Sequence, residues 1–233
     1  MTEARYILAF DTALMGCAAA LYDAQEDRAW SRSETMMRGQ SERLVPMVQE
    51  IIAEAGQSFA AVDVVATTVG PGAFTGLRLG LSAARAWGLS LKRPVAGLTT
   101  LEVLAAMFYG GTDGPPMRVL IETKRQDFYT QLYNEHGQEA GPAEAISFAD
   151  IQARGDDPGT VYIGDAAERY AAQCVDKPIT RPGFEMIDPA VMARLAYVRF
   201  AEGLVPDGMP QPLYLRGADV SESKRVQRQI VKE

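Results

Sequence analysis

Hydrophobic and polar positions along the chain switch repeatedly between a period of two and a period near 3.6, and those switches predict the elements. The clearest switch lies within residues 62–91. Val62, Val64, Val65, Thr67, Thr68 and Val69 form a β-branched run that reads as a buried strand, and Gly70-Pro71-Gly72 ends it. From Thr75 onward a helix is predicted. Leu77, Leu79, Leu81, Trp87 and Leu91 cover most of its wheel, and the polar arc holds mainly Arg78, Ser82 and Arg85. So narrow a polar arc requires cover on more than one side. On the same helix Gly76, Gly80, Ala84 and Gly88 recur every four residues, making a ridge almost without side chains. Interior glycines cost roughly 1 kcal/mol each against alanine, so a close backbone contact must offset them. Either another helix lies along the ridge or the ridge lies on this chain's own sheet. The narrow polar arc favours a helix from a second chain.

The remaining pattern places elements on both sides of this pair. Residues 6–10 and 17–22 predict a hairpin around Asp11-Thr12-Ala13, and residues 28–35 add a third strand. Ser41 is a candidate N-cap for a helix with Leu44, Val45, Val48, Ile51, Ile52 and Ala55 on one face and Gly56 as its stop. Pro46 marks its first turn or kinks it. A strand at 95–97 and a helix at 100–108 complete the order βββαβαβα. The segment YGGTDGPP at 109–116 is the most linker-like, and the domain boundary is placed there. Beyond it, residues 117–123 and 127–133 read as a hairpin around Lys124-Arg125-Gln126, 148–154 as a short helix and 159–163 as a strand. Asp188-Pro189 caps a helix that Gly203 closes. The expected organisation is a first domain over 1–110 completed by helix 189–203, a smaller second domain over 111–188, and an extension over 204–233. Within that extension, Leu213-Tyr214-Leu215-Arg216 gives an ordered anchor and residues 221–233 form a charged, mobile end.

Composition narrows the chemistry. With 233 residues, 47% of them hydrophobic, there is room for one large core or two smaller ones. No apolar run approaches the roughly 18 residues that span a bilayer, and Asp11 follows the first short strand too soon for a signal peptide, so a cytoplasmic protein is expected. Cys17 and Cys174 form no C-x-x-C pair and read as small apolar residues. The net charge of -7 argues against this chain gripping a phosphate backbone by itself, so nucleic acid would be held by a partner. The single histidine, His136, sits in the polar stretch Asn134-Glu135-His136-Gly137-Gln138 and reads as an exposed loop residue. One histidine excludes histidine-based triads and zinc sites built on two histidines, and no D-x-D-x-D-G loop offers carboxylates instead. A glycine turn before a helix can cradle phosphate, yet Gly70–Gly72 lacks both the G-K-[ST] ending and the G-x-G-x-x-G spacing and reads as a close-packed turn.

Ile7-Leu8-Ala9-Phe10-Asp11-Thr12-Ala13, followed by Cys17-Ala18-Ala19-Ala20-Leu21, resembles the first phosphate loop of the actin, sugar-kinase and heat-shock ATPase superfamily. Four further segments narrow the match: ERLVPMVQ at 42–49, VGPGAFTGLRLG at 69–80, GLTTL at 97–101 and PLYLR at 212–216. Together they resemble the TsaB (YeaZ) family, strongly over the first hundred residues, weakly in the middle and in one short motif of the tail. The resemblance implies an α/β protein with the two-domain actin-like ATPase fold, mixed sheets flanked by helices. It also implies a place in the complex that puts threonylcarbamoyl on adenosine 37 of tRNAs reading codons that begin with A. In that complex TsaC supplies threonylcarbamoyl-adenylate, TsaD transfers the group and the ATPase TsaE supports turnover. TsaB is the non-catalytic paralogue that pairs with TsaD through the helices of its first domain and forms homodimers when alone.

The resemblance further implies an interface over Leu44, Met47, Val48, Ile51, Gly76, Leu77, Gly80, Ala84, Trp87 and Gly88. A possible vestigial nucleotide site would comprise Asp11, Thr12, Gly70, Gly72, Glu122 and Gly164. Catalytic residues, a metal and a tightly bound cofactor are not expected; ATP or ADP with magnesium can lodge at the complex junction, and tRNA is met only through the complex. TsaD-like enzymes hold their metal with an H-x-x-x-H pair, which this chain lacks. Gln40 stands where many relatives carry histidine, and Glu122-Thr123-Lys124 stands where they carry D-A-R, which changes the geometry offered to phosphate and magnesium. Two other functions are weighed. Asp11 would serve an independent ATPase or phosphotransferase by organising metal-bound water, whereas its structural alternative is to close a turn through hydrogen bonds to backbone amides. A metallopeptidase is opposed by the missing second histidine.

Overall fold

Strand β1 (Tyr6–Asp11) is the axis of the first half of the molecule: every one of its residues is buried, since helices cover both faces of the sheet it sits in. It pairs antiparallel with β2 (Gly16–Asp23) and parallel with β4 (Val64–Gly70). With β3 (Arg28–Thr35) and β5 (Val95–Thr99) at the edges, the order is β3-β2-β1-β4-β5. The structure is a computed structural model and describes residues 4–216, so the expected mobile end at 221–233 lies outside the described residues.

Alternation along β1 decides which helices cover it. Tyr6, Leu8 and Phe10, with Cys17, Ala19 and Leu21 of β2, point to the side of α1 (Gln40–Glu54), whose Leu44, Met47, Val48 and Ile51 fill that core. Ile7 and Ala9, with Val64 and Ala66 of β4, point the other way. There they meet α3 (Thr100–Tyr109) and α6 (Pro189–Ala201) through Leu101, Leu104, Met192 and Ala196. Asp188 caps α6 by accepting from the amides of Ala190 at 2.8 Å and Val191 at 3.4 Å, and α3 begins with a complete capping box between Thr99 and Glu102. The cap expected at Ser41 is displaced: α1 starts at Gln40, after Gly39 in a left-handed conformation, and Pro46 lies past the first turn.

The second half repeats the plan of the first. Strands β6 (Met117–Glu122), β7 (Asp127–Tyr133) and β8 (Glu144–Ser147) run antiparallel in succession, and β9 (Val161–Ile163) and β10 (Ile179–Thr180) add in parallel, giving β10-β9-β6-β7-β8. Read from β8, this is the same order and sense as the first sheet, the duplicated arrangement of a two-domain actin-like fold. Helices α4 (Phe148–Arg154) and α5 (Ala167–Gln173) cover one face around Phe128, Ile151 and Tyr170. The other face, with Met117, Val119, Ile121 and Ile163, joins the cluster beneath α3 and α6, so one apolar core runs through both halves. Strands β8 and β10 and helix α5 are additions to the elements that the pattern predicts. Inside this half the Arg118 guanidinium is buried against Asp156, whose carboxylate also accepts from the Tyr162 hydroxyl at 2.7 Å.

The glycine ridge of α2 (Phe74–Leu91) faces this chain's own first sheet, which overturns the helix-from-a-second-chain reading. A Cβ on Gly76 would overlap the Thr12 carbonyl oxygen, and one on Gly88 would overlap the Val95 side chain. A Cβ on Gly80 would stand 3.0 Å from the Thr67 hydroxyl and 3.1 Å from that of Thr12. Ala84 is completely buried in the core shared with α1. Close approach to the sheet, rather than to a partner, is what the small residues provide.

Two expectations follow from these contacts. Gly76→Ala should lower unfolding stability by about 1–3 kcal/mol, because backbone lies where the methyl must go, whereas Leu89→Ala, at a position 73% exposed, should stay within about 0.5 kcal/mol in the same urea titration. The second concerns Asp165, which opens the turn after β9 and accepts the Glu122 amide at 2.8 Å. Burial pushes its carboxyl from 3.8 up to about 6 against that hydrogen bond. A raised acid binds its proton more tightly in the native state, so its stabilising contribution is full below the unfolded value and declines as pH rises toward 6. Asp165→Asn, whose amide oxygen can still accept from Glu122, should remove that decline and raise stability at pH 7 by about 1–3 kcal/mol. Urea titrations at pH 4.5 and pH 7 measure it.

Candidate functional site

The residues expected for a nucleotide site stand at the carboxyl ends of strands in both sheets, the place where ligands enter open α/β sheets. Asp11 ends β1 with Thr12 next to it, Gly70 ends β4 with Gly72 just beyond, Glu122 ends β6 and Gly164 follows β9. The Gly70–Gly72 turn and the start of β7 face one another across a small space of about 50 Å³, lined by Pro71, Gly72 and Tyr129 and roofed by Leu213, Tyr214 and Arg216.

The Asp11, Thr12 and Glu122 side chains there each have partners within the chain. The Asp11 carboxylate is buried and accepts from the Thr68 hydroxyl at 2.5 Å and from the amides of Ala13 at 3.2 Å and Leu14 at 3.3 Å. Burial pushes its titration upward, opposed chiefly by the Thr68 bond. The Thr12 hydroxyl donates to the Gly76 carbonyl at 2.7 Å, and the Ala73 amide donates to the Ala13 carbonyl at 2.8 Å. Thus the loop that could cradle phosphate is laced to the first turn of α2. Gly72 fits there because a Cβ would lie 2.8 Å from the Ala13 carbonyl oxygen. Across the gap, Glu122 pairs with Arg169 at 2.7 Å and accepts from the Lys124 amide at 2.7 Å. Gly164, at φ +103°, packs against the Leu120 carbonyl where no side chain fits. The structural alternative for Asp11, a carboxylate closing its own turn, is the geometry observed. Arg169 and Arg216 belong to this neighbourhood and were not anticipated there. Arg169 lies in a helix too short to show a period, while Arg216 was visible only as part of an anchor.

The proposed interface residues divide differently from expectation. Leu44, Met47, Val48 and Ile51 are buried beneath α1, Leu77 packs with Ala13, Val69 and Leu81, and Gly76, Gly80, Ala84 and Gly88 lie toward the sheet. As side chains offered to another protein, these are corrected: the same apolar spacing that suggested contact is satisfied inside the chain. Trp87 is the one side chain among them that reaches the surface, half-buried as the Gly76 backbone is, edge-on to Phe10 with ring centroids at 4.9 Å and to Phe59 at 5.5 Å. It forms one wall of an open groove of about 360 Å³ between α1 and α2. The groove's other walls include Val45, Ile52, Ala53 and Phe59, with Gln49, Gln57 and Ser58 among the polar residues that line it. Val45 was assigned to the buried face of α1, yet it is 45% exposed, and its spacing with Gln49 and Ala53 marks a second, outward stripe. His136 sits in its exposed loop beside Asp113 at 3.1 Å.

Comparison with known proteins places these features. Residues 33–192 match the family described as TsaD: tRNA N6-adenosine threonylcarbamoyltransferase. The tRNA threonylcarbamoyladenosine biosynthesis protein TsaB of Escherichia coli is 28% identical, over 90% of this chain and 94% of that protein. An uncharacterized protein of Mycobacterium tuberculosis is 30% identical over 91% of this chain and 92% of its own length. Among solved structures, YeaZ from Pseudomonas aeruginosa superposes with a TM-score of 0.76 at 26% identity, covering 91% of this chain and all of that one. The match to the TsaD description spans both sheets, and the Escherichia coli TsaB and Pseudomonas aeruginosa YeaZ chains are matched along almost their whole length: the chain belongs to the TsaD family, in its TsaB/YeaZ branch.

Proposed function

We propose that this chain is a non-catalytic subunit of the machinery that makes threonylcarbamoyladenosine in tRNA, and that it acts by pairing with a TsaD paralogue. The observation that carries this reading is the Asp11 turn. A superfamily ATPase needs that carboxylate and the following amides free for metal-bound water and phosphate; here they are bonded to one another and to Thr68. TsaD-type chemistry also asks for a histidine pair, and the sequence has one histidine. What the chain offers instead is a surface. A paralogous chain has helices equivalent to α1 and α2, and the groove holding Trp87, Phe59 and Val45 is apolar, open and placed between those two helices. Aromatic anchors in a partly desolvated pocket are the usual centre of a pairing surface. The TsaD paralogue is the occupant of choice, a second copy of this chain fills it in its absence, and TsaE joins the assembled pair. Nucleotide then lodges at the junction rather than in this chain, and tRNA is bound through the complex, in keeping with the net charge of -7.

Light scattering on the chain, on TsaD from the same source and on their mixture tests this: a one-to-one complex is expected to replace any homodimer. Val45→Asp, at a solvent-facing position, should keep the monomer's melting temperature within a few degrees and weaken the complex at least about tenfold, since a charge cannot be desolvated there without a partner. Unchanged pairing by Val45→Asp would move the interface elsewhere. The isolated chain is expected to hydrolyse magnesium-ATP no faster than background. Turnover lost in Asp11→Asn would instead establish the independent ATPase.

A further inference from the structure

Residues 209–216 leave the last helix and run back along the open edge of the first half to the mouth of the cleft. Their contacts are specific and alternate between backbone and side chain. Pro210 packs on Gly97, where a Cβ would come within 2.6 Å of the proline ring. The Pro210 carbonyl accepts from Arg85 of α2 at 2.6 Å, and the Leu213 amide donates to the Val69 carbonyl at the end of β4 at 2.7 Å. The Leu213 side chain enters a small cluster with Ala13, Val69, Leu77 and Leu81, and its carbonyl lies where a Cβ on Gly70 would stand, 3.0 Å away. Tyr214 lies 5.9 Å from Phe74 between ring centroids, and its hydroxyl meets Arg78 at 3.3 Å. Arg216 then crosses to the other half and pairs with Asp127 of β7 at 2.7 Å.

We propose that this segment is a built-in tie that plugs the cleft and fixes its width. Two-lobed proteins that take a ligand between their halves must open along such a cleft. Here the chain's own backbone occupies the turn where phosphates would approach, and a single strap is fastened on β4, on α2 and on β7. Its fastenings are of two kinds, the Leu213 insertion with its backbone bond to Val69, and side-chain ties of which Arg85 and Arg216 make the shortest, so the two kinds can be removed separately. The consequence is a cleft that stays shut and a chain that meets its partner as one body, whichever surface the partner uses; the inference therefore stands independently of the pairing with TsaD.

Hydrogen–deuterium exchange on the full chain tests it with two variants. Leu213→Asp puts a charge among Ala13, Val69 and Leu77, while Arg85→Met with Arg216→Ala removes the two arginine ties and leaves the apolar insertion and its backbone bond to Val69 in place. With the tie cut, amides of residues 70–77 and 122–129 should exchange roughly tenfold faster or more, with those of β1 unchanged, as expected for a local opening. The polar-tie variant decides the matter where Leu213→Asp destabilises the whole first half. Wild-type exchange rates across 70–77 and 122–129 in that variant, or an acceleration spread evenly over both sheets, would overturn the proposal.

Discussion

Helix α2 runs so close over β1, β4 and β5 that positions 76 and 88 have no room for a Cβ and position 80 has almost none. That approach organises both of its ends. At the N-terminal end it brings the Gly76 carbonyl to the Thr12 hydroxyl and the Ala73 amide to the Ala13 carbonyl, so the turn after β1 is stitched to the helix. At the C-terminal end it lays Gly88 on Val95 and lets the Arg93 amide reach the Gly88 carbonyl, which turns the chain directly into β5. The glycines are costly in an isolated helix. In this setting the cost is offset by burial of the strands beneath and by dispersion contacts that a wider spacing would lose. Larger side chains are displaced to the flanks, where Trp87 reaches Phe10 and Phe59 on one side and Leu77 and Leu81 receive Leu213 on the other.

The same stitching determines what the cleft can do. Once the β1–β2 turn is drawn onto α2, its amides point at the Asp11 carboxylate instead of outward. The second half uses a related device: Asp165, after β9, accepts the amide of Glu122 at the end of β6. Each half of the duplicated fold thus buries an aspartate at a strand end to satisfy backbone that would otherwise lack partners. Burial raises both carboxyls, so each is held at some cost in free energy. A group kept for structure at such a cost is difficult to release for catalysis.

How much of this was legible follows from element length and from what periodicity can encode. β1, β2 and β4 are buried along their whole length, and α2 and α6 are long enough to show their period, so their hydrophobic patterns announced them. α5, with seven residues, and β10, with two, are too short for any period to emerge. The four-residue spacing of Gly76, Gly80, Ala84 and Gly88 announced a close approach but carried no information on which backbone approaches, and a sheet satisfied it as well as a helix would. Turn chemistry was more explicit. An aspartate followed by threonine and small residues at a strand end has few ways to use its carboxylate other than on neighbouring amides, and Asp11 does so. The groove beside Trp87 was missed because Val45 shares a helix face with buried residues on a wheel, yet opens toward Phe59 and Trp87.

A shared core changes what two duplicated halves can accomplish. Where each half has its own core, a hinge lets the halves close on a ligand, and the motion is part of turnover. In this chain α6 packs on the first sheet and on α3, α3 meets strands of both sheets, and Leu101, Met192, Val119 and Ile163 belong to one continuous cluster. Opening the cleft would therefore strain apolar packing far from it, in addition to breaking contacts at its mouth. The shared cluster thus opposes relative motion of the two halves. In the pairing proposed above, restricting that motion would lower the ordering cost of association.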